Sequence, residues 1–192
     1  GGGTDEETDD GLRDRTLDRI QNPVAHFNVA AISEKAREVA GVTRVFVQEV
    51  TPALGQVTIY FMRDNDDNPI PTGSEVTAVK DIILTIKPAN TSDVDVIVNA
   101  PTGVPVDYTF ASLSPDTPTM REAVINNLIQ FFDEDTQIGE DIQKEAYDSA
   151  IYRTVDTVTG DKIESFTLSD PTTDITIATG EIGTLGLISY PS

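Results

Sequence analysis

The sequence predicts an α+β fold in two small lobes, each running helix-helix-strand-strand as weak internal repeats with mixed or antiparallel sheets. Capped amphipathic segments alternate along the chain with short β-branched runs at a period of two. The pattern Val-x-x-Val-x-Val at residues 42–47 also returns as Ile-x-x-Phe-x-Leu at residues 163–168, about 120 residues later. The predicted lobes cover residues 4–113 and 114–192, and residues 1–3 are interpreted as a linker or a cloning boundary.

Five helices are predicted, most of them from a capping residue followed by an apolar stripe at helical spacing. They run from Thr8 to Ile20, from Val29 to Ala40, from Thr72 to Ile86, from Thr117 to Phe132 and from Ile142 to Val155. Asn28 is the expected N-cap of the second helix, and Gly41 is expected to end it in the left-handed conformation. Thr72 with Glu75 forms a capping box, and Pro118 suits the first position of the fourth helix.

The strands are predicted from β-branched and aromatic residues bounded by turn residues. They cover residues 42–50, 57–62, 93–98, 104–113, 163–168, 174–178 and 185–190. The first two are expected to form a hairpin, and residues 101–103 are expected to turn the chain between the third and fourth. Alternation in the fourth strand places Val106, Tyr108 and Phe110 on one face.

The composition excludes several classes of function. The chain has 13 Lys and Arg against 33 Asp and Glu, a formal charge of -20, and such a field repels nucleic-acid backbones and anionic lipid. With no cysteine and one histidine, the chain lacks thiol chemistry and His-rich metal sites. We therefore expect no nucleic-acid, membrane or small-molecule partner, no cofactor or metal, and no enzymatic activity.

A calcium-loop pattern begins at Asp64. Oxygen ligands recur at alternate positions through Asn68, and Glu75 stands at the twelfth position, as in an EF-hand loop. Pro69 occupies the sixth position, where that loop needs glycine to turn. Because Glu75 also fits the capping box, a solvated loop before the third helix explains the same residues.

The other acid-base candidates have simpler interpretations. His26 precedes the second helix without a second histidine or an assigned acid partner, so we interpret it as a packed or surface loop residue. Asp133 with Asp135, or Glu134 with Glu140, could serve a glycosidase. Acidic residues are so numerous that such pairs are expected at a solvated helix end.

Three arginines, Arg13, Arg15 and Arg19, are concentrated in the first predicted helix. Arginine is enriched in protein interfaces, which makes a contact role conceivable. Asp9 and Asp18 stand at helical spacing from two of them, so pairing within the helix explains them as well.

Seven segments, taken in order, resemble the C-terminal half of the baseplate J-like family of contractile phage tails. Residues 39–47 are similar to the family stretch PGVTRAWV, residues 55–62 to GTVTVYFM, and residues 113–118 to LTPDTP. The remaining similar segments are residues 2–23, 71–79, 100–106 and the closing strands within 165–186. The chain departs from the family pattern at residues 24–27, at Gly183 and at residues 156–162.

The resemblance implies a structural protein of the virion tail baseplate rather than an enzyme. It implies a wedge subunit that packs with other wedge and hub proteins, and with copies of itself, in a six-fold ring, and that relays attachment to sheath contraction. It transfers no active-site residues. Two alternatives from the residues stay open: an extracellular adhesion module assisted by calcium, and a glycosidase with paired acids.

The excess of acidic residues has three competing explanations: a basic partner surface, solubility, or adaptation to concentrated salt. At 1 M salt, repulsion between charges is screened within about 3 Å, against about 8 Å at physiological ionic strength. Under the third explanation, we expect the melting temperature to rise between low salt and molar NaCl. Thermal unfolding followed by circular dichroism measures this, and a flat profile removes that explanation.

Overall fold

Residues 27–191 are described by the computed structural model of the chain. They form an α+β fold with four helices and two three-stranded mixed sheets, which confirms the predicted fold class. In chain order the elements are α1 (Val29–Arg37), β1 (Arg44–Glu49), β2 (Val57–Met62), α2 (Gly73–Leu84), β3 (Val96–Asn99), β4 (Thr102–Ser114), α3 (Pro118–Glu134), α4 (Lys144–Tyr152), β5 (Ser165–Asp170) and β6 (Glu181–Ser189). The helix predicted from Thr8, with its Arg13, Arg15 and Arg19, lies outside the described residues, and so does His26.

The first sheet has the strand order β1-β2-β3. β2 pairs antiparallel with β1, which confirms the predicted hairpin, and parallel with β3 across the α2 crossover. β2 is covered on both faces, because α1 and α2 pack over one face of the sheet and Ile138 and Ile182 of the second lobe contact Met62 on the other. The core of this lobe joins Ile32 and Ala36 of α1 to Ile59 and Phe61 of β2 and Val79 of α2.

The second sheet has β4 at its centre, antiparallel to β5 and parallel to β6. Val106, Tyr108 and Phe110 are buried on the predicted face, in one cluster with the apolar sides of α3 and α4. The Tyr108 ring meets Tyr147 at 5.7 Å and Phe132 at 6.3 Å between centroids, both edge-on, which is a geometry that aromatic pairs prefer. From α3 onward this lobe follows the predicted order of two helices and two strands.

The capping residues predicted for the helix starts are confirmed. The Asn28 side chain accepts a hydrogen bond at the start of α1, and the Thr117 side chain does so at the start of α3. Thr72 and Glu75 form the reciprocal capping box of α2. The predicted end of the second helix at Gly41 is wrong, because α1 ends at Arg37 with Glu38 as a right-handed C-cap. Gly41 has the expected left-handed backbone, with φ +89°, but in the turn that follows the helix.

The segment predicted as a strand over residues 174–178 forms only an isolated bridge, between Ile175 and Ile142. Its carboxylate and amide groups are used at the start of α4 instead. Asp174 accepts a hydrogen bond from the Lys144 N–H at 2.8 Å, and the Ile177 N–H donates to the Asp141 carboxylate at 2.9 Å. Hydrogen bonds to side chains thus replace the ladder that a strand would need.

The turn predicted at residues 101–103 also differs. Thr102 and Gly103 pair with Glu181 and Ile182 of β6, so β4 begins there and runs into the second sheet. The predicted strand over residues 93–98 opens instead with a 3-10 turn at Asp93–Asp95 and continues as β3. The lobe boundaries remain a prediction, and the pairing of β4 favours a boundary before Thr102 rather than after residue 113.

Arg63 links the turn that follows α1 to the first turn of α2. Its Nη1 donates to the Ala40 carbonyl at 2.8 Å, and its Nε lies 2.5 Å from the Asp66 carboxylate and 3.0 Å from that of Glu75. The guanidinium lies directly against Gly41, where a Cβ would collide with it. Glycine at this position therefore serves both the left-handed backbone and the close approach of the arginine.

Replacing Gly41 by alanine tests that double role, with Gly55→Ala as its matched control. Both glycines have positive φ, but a Cβ at Gly55 would meet no atom within 4 Å. We expect each variant to lose about 1 kcal/mol for the left-handed backbone, and Gly41→Ala to lose roughly 1–2 kcal/mol more because Arg63 must move. Urea unfolding measures both, and equal losses would contradict the packing role of Arg63.

Candidate functional site

The carboxylates of the calcium-loop pattern are engaged by arginines. Arg44 binds both oxygens of Asp64, with Nε to Oδ2 at 2.9 Å and Nη2 to Oδ1 at 2.8 Å. Asp66 and Glu75 are both paired with Arg63. Hydrogen bonds from the Thr72 N–H and hydroxyl, together with the charge of Arg63, lower the pKa of Glu75. These oxygens therefore satisfy guanidinium and backbone donors instead of converging on one point.

The carboxylate pairs considered for a glycosidase do not share a cavity. Asp133 lines a cleft between the two sheets, beside Arg44 and Asp64. Asp135 and Glu140 line another cleft, between the end of α3 and α4, and Glu134 lines an adjoining third cleft together with Asp135. The two members of each considered pair thus line different clefts, whereas a two-carboxylate site needs both groups on either side of one bond.

Asp133 has a perturbed pKa for a structural reason. Partial burial raises the pKa of this carboxyl group, and the negative charge of Asp64 raises it further, while the Arg44 cation acts in the opposite direction. The group faces the boundary between the sheets, and the nearby Asp64 in the same cleft is already paired with Arg44. Its titration therefore reports on the contact between the lobes.

The polar half of this contact centres on Arg44. Besides binding Asp64, its Nη1 donates to the Phe132 carbonyl at 3.0 Å and to the Thr136 carbonyl at 3.4 Å, both at the C-terminal end of α3. The Thr43 hydroxyl donates to the Asp64 carboxylate at 2.5 Å. A cation at a helix C-terminus complements the helix dipole and satisfies carbonyls that the helix leaves unpaired. One β1 side chain thus ties the first sheet to the second lobe.

The apolar half of the contact is a small buried cluster. Met62 comes from β2, Ile138 from the segment after α3, and Ile182 from β6, and all three are buried together. Tyr60 of β2 adds its hydroxyl, which a Cβ at Gly180 would approach to 3.1 Å. The two sheets are therefore joined by direct packing as well as by hydrogen bonds. We call this region the inter-sheet junction: Arg44, Asp64, Met62, Thr136, Ile138 and Ile182.

The sequence interpretation missed the role of Arg44, although a signal was present. The alternation over residues 42–47 places Arg44 on the same strand face as Val42 and Phe46. A cation on an otherwise apolar strand face needs partners, since burying an unpaired charge is costly. Its acceptors at Phe132 and Thr136 lie far along the chain, which is why they could not be named from the pattern.

A second cleft, of about 690 Å³, lies between the end of α3 and α4. Phe131, Ile142 and Ala146 form its apolar floor, and its walls carry Asp135 and Glu140. Across residues 27–191, no cluster of three or more acidic or histidine side chains is arranged to hold a metal ion. Over the same residues, each helix is too short or too polar to cross a membrane.

Comparison with known proteins places the fold in a family. Residues 28–100 match the baseplate J-like central domain, which covers α1 through β3. The chain is 30% identical over 196 residues to baseplate protein gp47 of Escherichia phage Mu, covering 98% of this chain and 52% of that protein. It is 29% identical over 199 residues to the Mu-like prophage FluMu protein gp47 of Haemophilus influenzae, covering 98% and 53%.

A solved structure supports the same fold. The six-fold symmetrised cryo-EM structure of the anti-feeding prophage baseplate contains a chain that superposes with a TM-score of 0.52 at 12% identity, covering 100% of this chain and 43% of that one. The present chain spans about half the length of the curated relatives it matches. Taken together, these similarities show that residues 28–100 carry the central domain of the baseplate J-like family and that the chain is related over 98% of its length to a baseplate protein of a phage.

Proposed function

We propose that the protein is a non-enzymatic wedge subunit of the baseplate. It packs with other wedge proteins, and with copies of itself in a six-fold ring, around the central hub, and it relays attachment to sheath contraction. Closed rings are built from repeated interfaces, and a relay of this kind moves whole subunits rather than making or breaking bonds.

The inter-sheet junction is the observation that carries this proposal. A subunit that transmits a displacement must keep its parts fixed relative to each other while its contacts with neighbours change. Here Arg44 links Asp64 to the end of α3, and Met62 packs against Ile182. Separating the lobes would remove Arg44 from the carbonyls at the end of α3 and would expose Met62 and Ile182, so the lobes favour one arrangement.

The chemistry of the described residues agrees with a structural role. The carboxylates that could act in pairs line separate clefts, and the acidic loop from Asp64 is engaged by Arg44 and Arg63. The phage Mu relative is a baseplate protein. A calcium-assisted adhesion module would need those same loop oxygens to be available, which makes it the weaker alternative.

The direct test removes the gene from a virus or particle-producing strain and supplies it again from a plasmid. We expect purified particles without the protein to lack a contractile baseplate, and the plasmid copy to restore sheath contraction. Electron microscopy of the particles and mass spectrometry of their proteins provide the readout. Working contractile tails without the protein would overturn the proposal.

A double-mutant cycle on the inter-sheet junction tests its energetic role in the full-length protein. We expect Arg44→Met or Asp64→Leu alone to lower the free energy of unfolding by about 3 kcal/mol, because each leaves a partly buried charge unpaired. The double variant should lose less than the sum of the two single losses. Urea unfolding measures all three proteins.

Arg153→Met is the matched control for that cycle. Arg153 is exposed and donates to the Ser149 carbonyl within its own helical turn, so we expect a change within about 0.5 kcal/mol. Particles assembled with the Arg44→Met protein should also contract less often than particles with Arg153→Met. Strict additivity of the two junction variants would show that Arg44 and Asp64 do not act as a pair.

A further inference from the structure

One end of the first sheet exposes three large apolar side chains. Val50 follows β1 and is 56% exposed, Leu54 in the loop before β2 is 89% exposed, and Val94 in the 3-10 turn before β3 is 73% exposed. Apolar residues scattered singly over a surface need no explanation, whereas several at one place mark an interaction site. We call these three residues the apolar tip.

The strand register brings the apolar tip together. Glu49 of β1 lies opposite Val57 of β2, and Val57 lies opposite Val96 of β3. Val50 is therefore one residue past the paired end of β1, and Val94 is two residues before the paired start of β3. With strands about 4.8 Å apart, the tip spans on the order of 10 Å across this end of the sheet.

The loop that carries the tip is held in one shape. Thr58, one of the few buried polar residues, uses its hydroxyl to donate to the Thr51 carbonyl at 2.8 Å. The Gln56 side chain donates to the Asp95 carboxylate at 3.2 Å, which joins the loop to the 3-10 turn. The side chains of the tip are thus presented outward by a fixed backbone.

Val50 adopts φ +61°, in the left-handed region. A β-branched residue is strained there, and such strain persists only where the surrounding structure imposes it. The chain therefore tolerates both a strained backbone and exposed apolar surface at the same loop. A free protein gains nothing from that combination, whereas burial in a partner would offset it.

The charges beside the apolar tip indicate the chemistry of a partner surface that could cover it. Glu49 and Asp95 flank the apolar side chains, and neither forms a salt bridge with any cation of residues 27–191, while Asp93 is paired with Lys87 at 3.1 Å. Carboxylates that find no cation among residues 27–191 favour a partner surface that carries Lys or Arg. They disfavour an anionic lipid surface, and they disfavour a second copy of the same tip, because like charges would be brought together.

We propose that the apolar tip inserts into an apolar pocket, rimmed by Lys or Arg, on a different protein of the baseplate. This inference rests on the proposed function, since it takes the partner to be a neighbour in the same assembly. Leu54, the most exposed of the three residues, is the central anchor. Glu49 and Asp95 then orient the contact and add salt dependence to it.

Site-specific photo-crosslinking in assembled particles tests the inference. The full-length protein carries p-benzoylphenylalanine in place of Leu54, or in place of Val158 as the control, because Val158 is also 76% exposed but lies in the second lobe. We expect a cross-link from position 54 to another baseplate protein, in a peptide with apolar residues next to Lys or Arg. The yield should exceed that from position 158 by about tenfold.

Several outcomes would overturn the inference. A cross-link from position 54 to a second copy of the chain, to lipid, or to a peptide without basic residues would do so, and so would equal yields at the two positions. These results are distinguishable from failure of the proposed function. If the protein is present in the particle but position 54 stays uncrosslinked, only the tip is wrong, whereas absence of the protein from particles contradicts the function itself.

A second variant keeps the test independent of the cross-linker. Leu54→Asp places a charge on a fully exposed position, so we expect an unchanged melting temperature but about tenfold less incorporation into particles than for Val158→Asp. Mass spectrometry of purified particles measures the incorporation, and circular dichroism confirms that both variants fold. Normal incorporation of Leu54→Asp would refute the tip as a docking element.

Discussion

The charge of Arg44 is the constraint on which the arrangement of this protein depends. Its guanidinium is removed from much of the solvent and must find acceptors, and it finds them in two places: the Asp64 carboxylate at the end of β2 and the carbonyls of Phe132 and Thr136 at the end of α3. The ion pair lies within the first lobe, so displacing the lobes would keep Asp64 beside Arg44 but would remove the carbonyls at the end of α3 from the guanidinium. Leaving these polar groups unsatisfied costs about 1–3 kcal/mol, so the hydrogen bonds across the boundary favour one geometry.

Packing beside the ion pair makes the same geometry favourable for a second reason. Met62 and Ile182 come from different sheets and bury each other together with Ile138, so separation would expose apolar surface as well as charge. Since close-packed interfaces rearrange between discrete states rather than deforming continuously, the two lobes behave as one body under a modest load. That property suits a subunit that moves as a rigid body, so that the rearrangement takes place at its interfaces with neighbouring subunits.

Sequence reasoning succeeded where structure is decided locally. Asn28, Thr72 and Thr117 act through backbone groups within a few residues, so their roles can be inferred from short patterns. The pairing of β4 is different, because the choice between β3 and the later strands depends on contacts with residues about 50 to 80 positions further along the chain. The contact that Arg44 makes with the second lobe was missed for the same reason. Its strand face could be predicted, but the carbonyls that accept its hydrogen bonds lie at the end of α3, in the other lobe.

The large negative charge of the chain limits which surfaces of the protein can associate with a second copy or with another protein. With a formal charge of -20, copies of the protein repel one another over a distance of about 8 Å at physiological ionic strength. Association must therefore occur where local contacts outweigh that repulsion, which requires apolar burial, basic residues on the partner, or both. The inter-sheet junction uses its own apolar and charged groups internally, so it offers neighbours little of either. The apolar tip at one end of the first sheet fulfils that requirement. The acidic residues beside it favour binding to a basic surface of a different protein over binding to the same tip of a second copy.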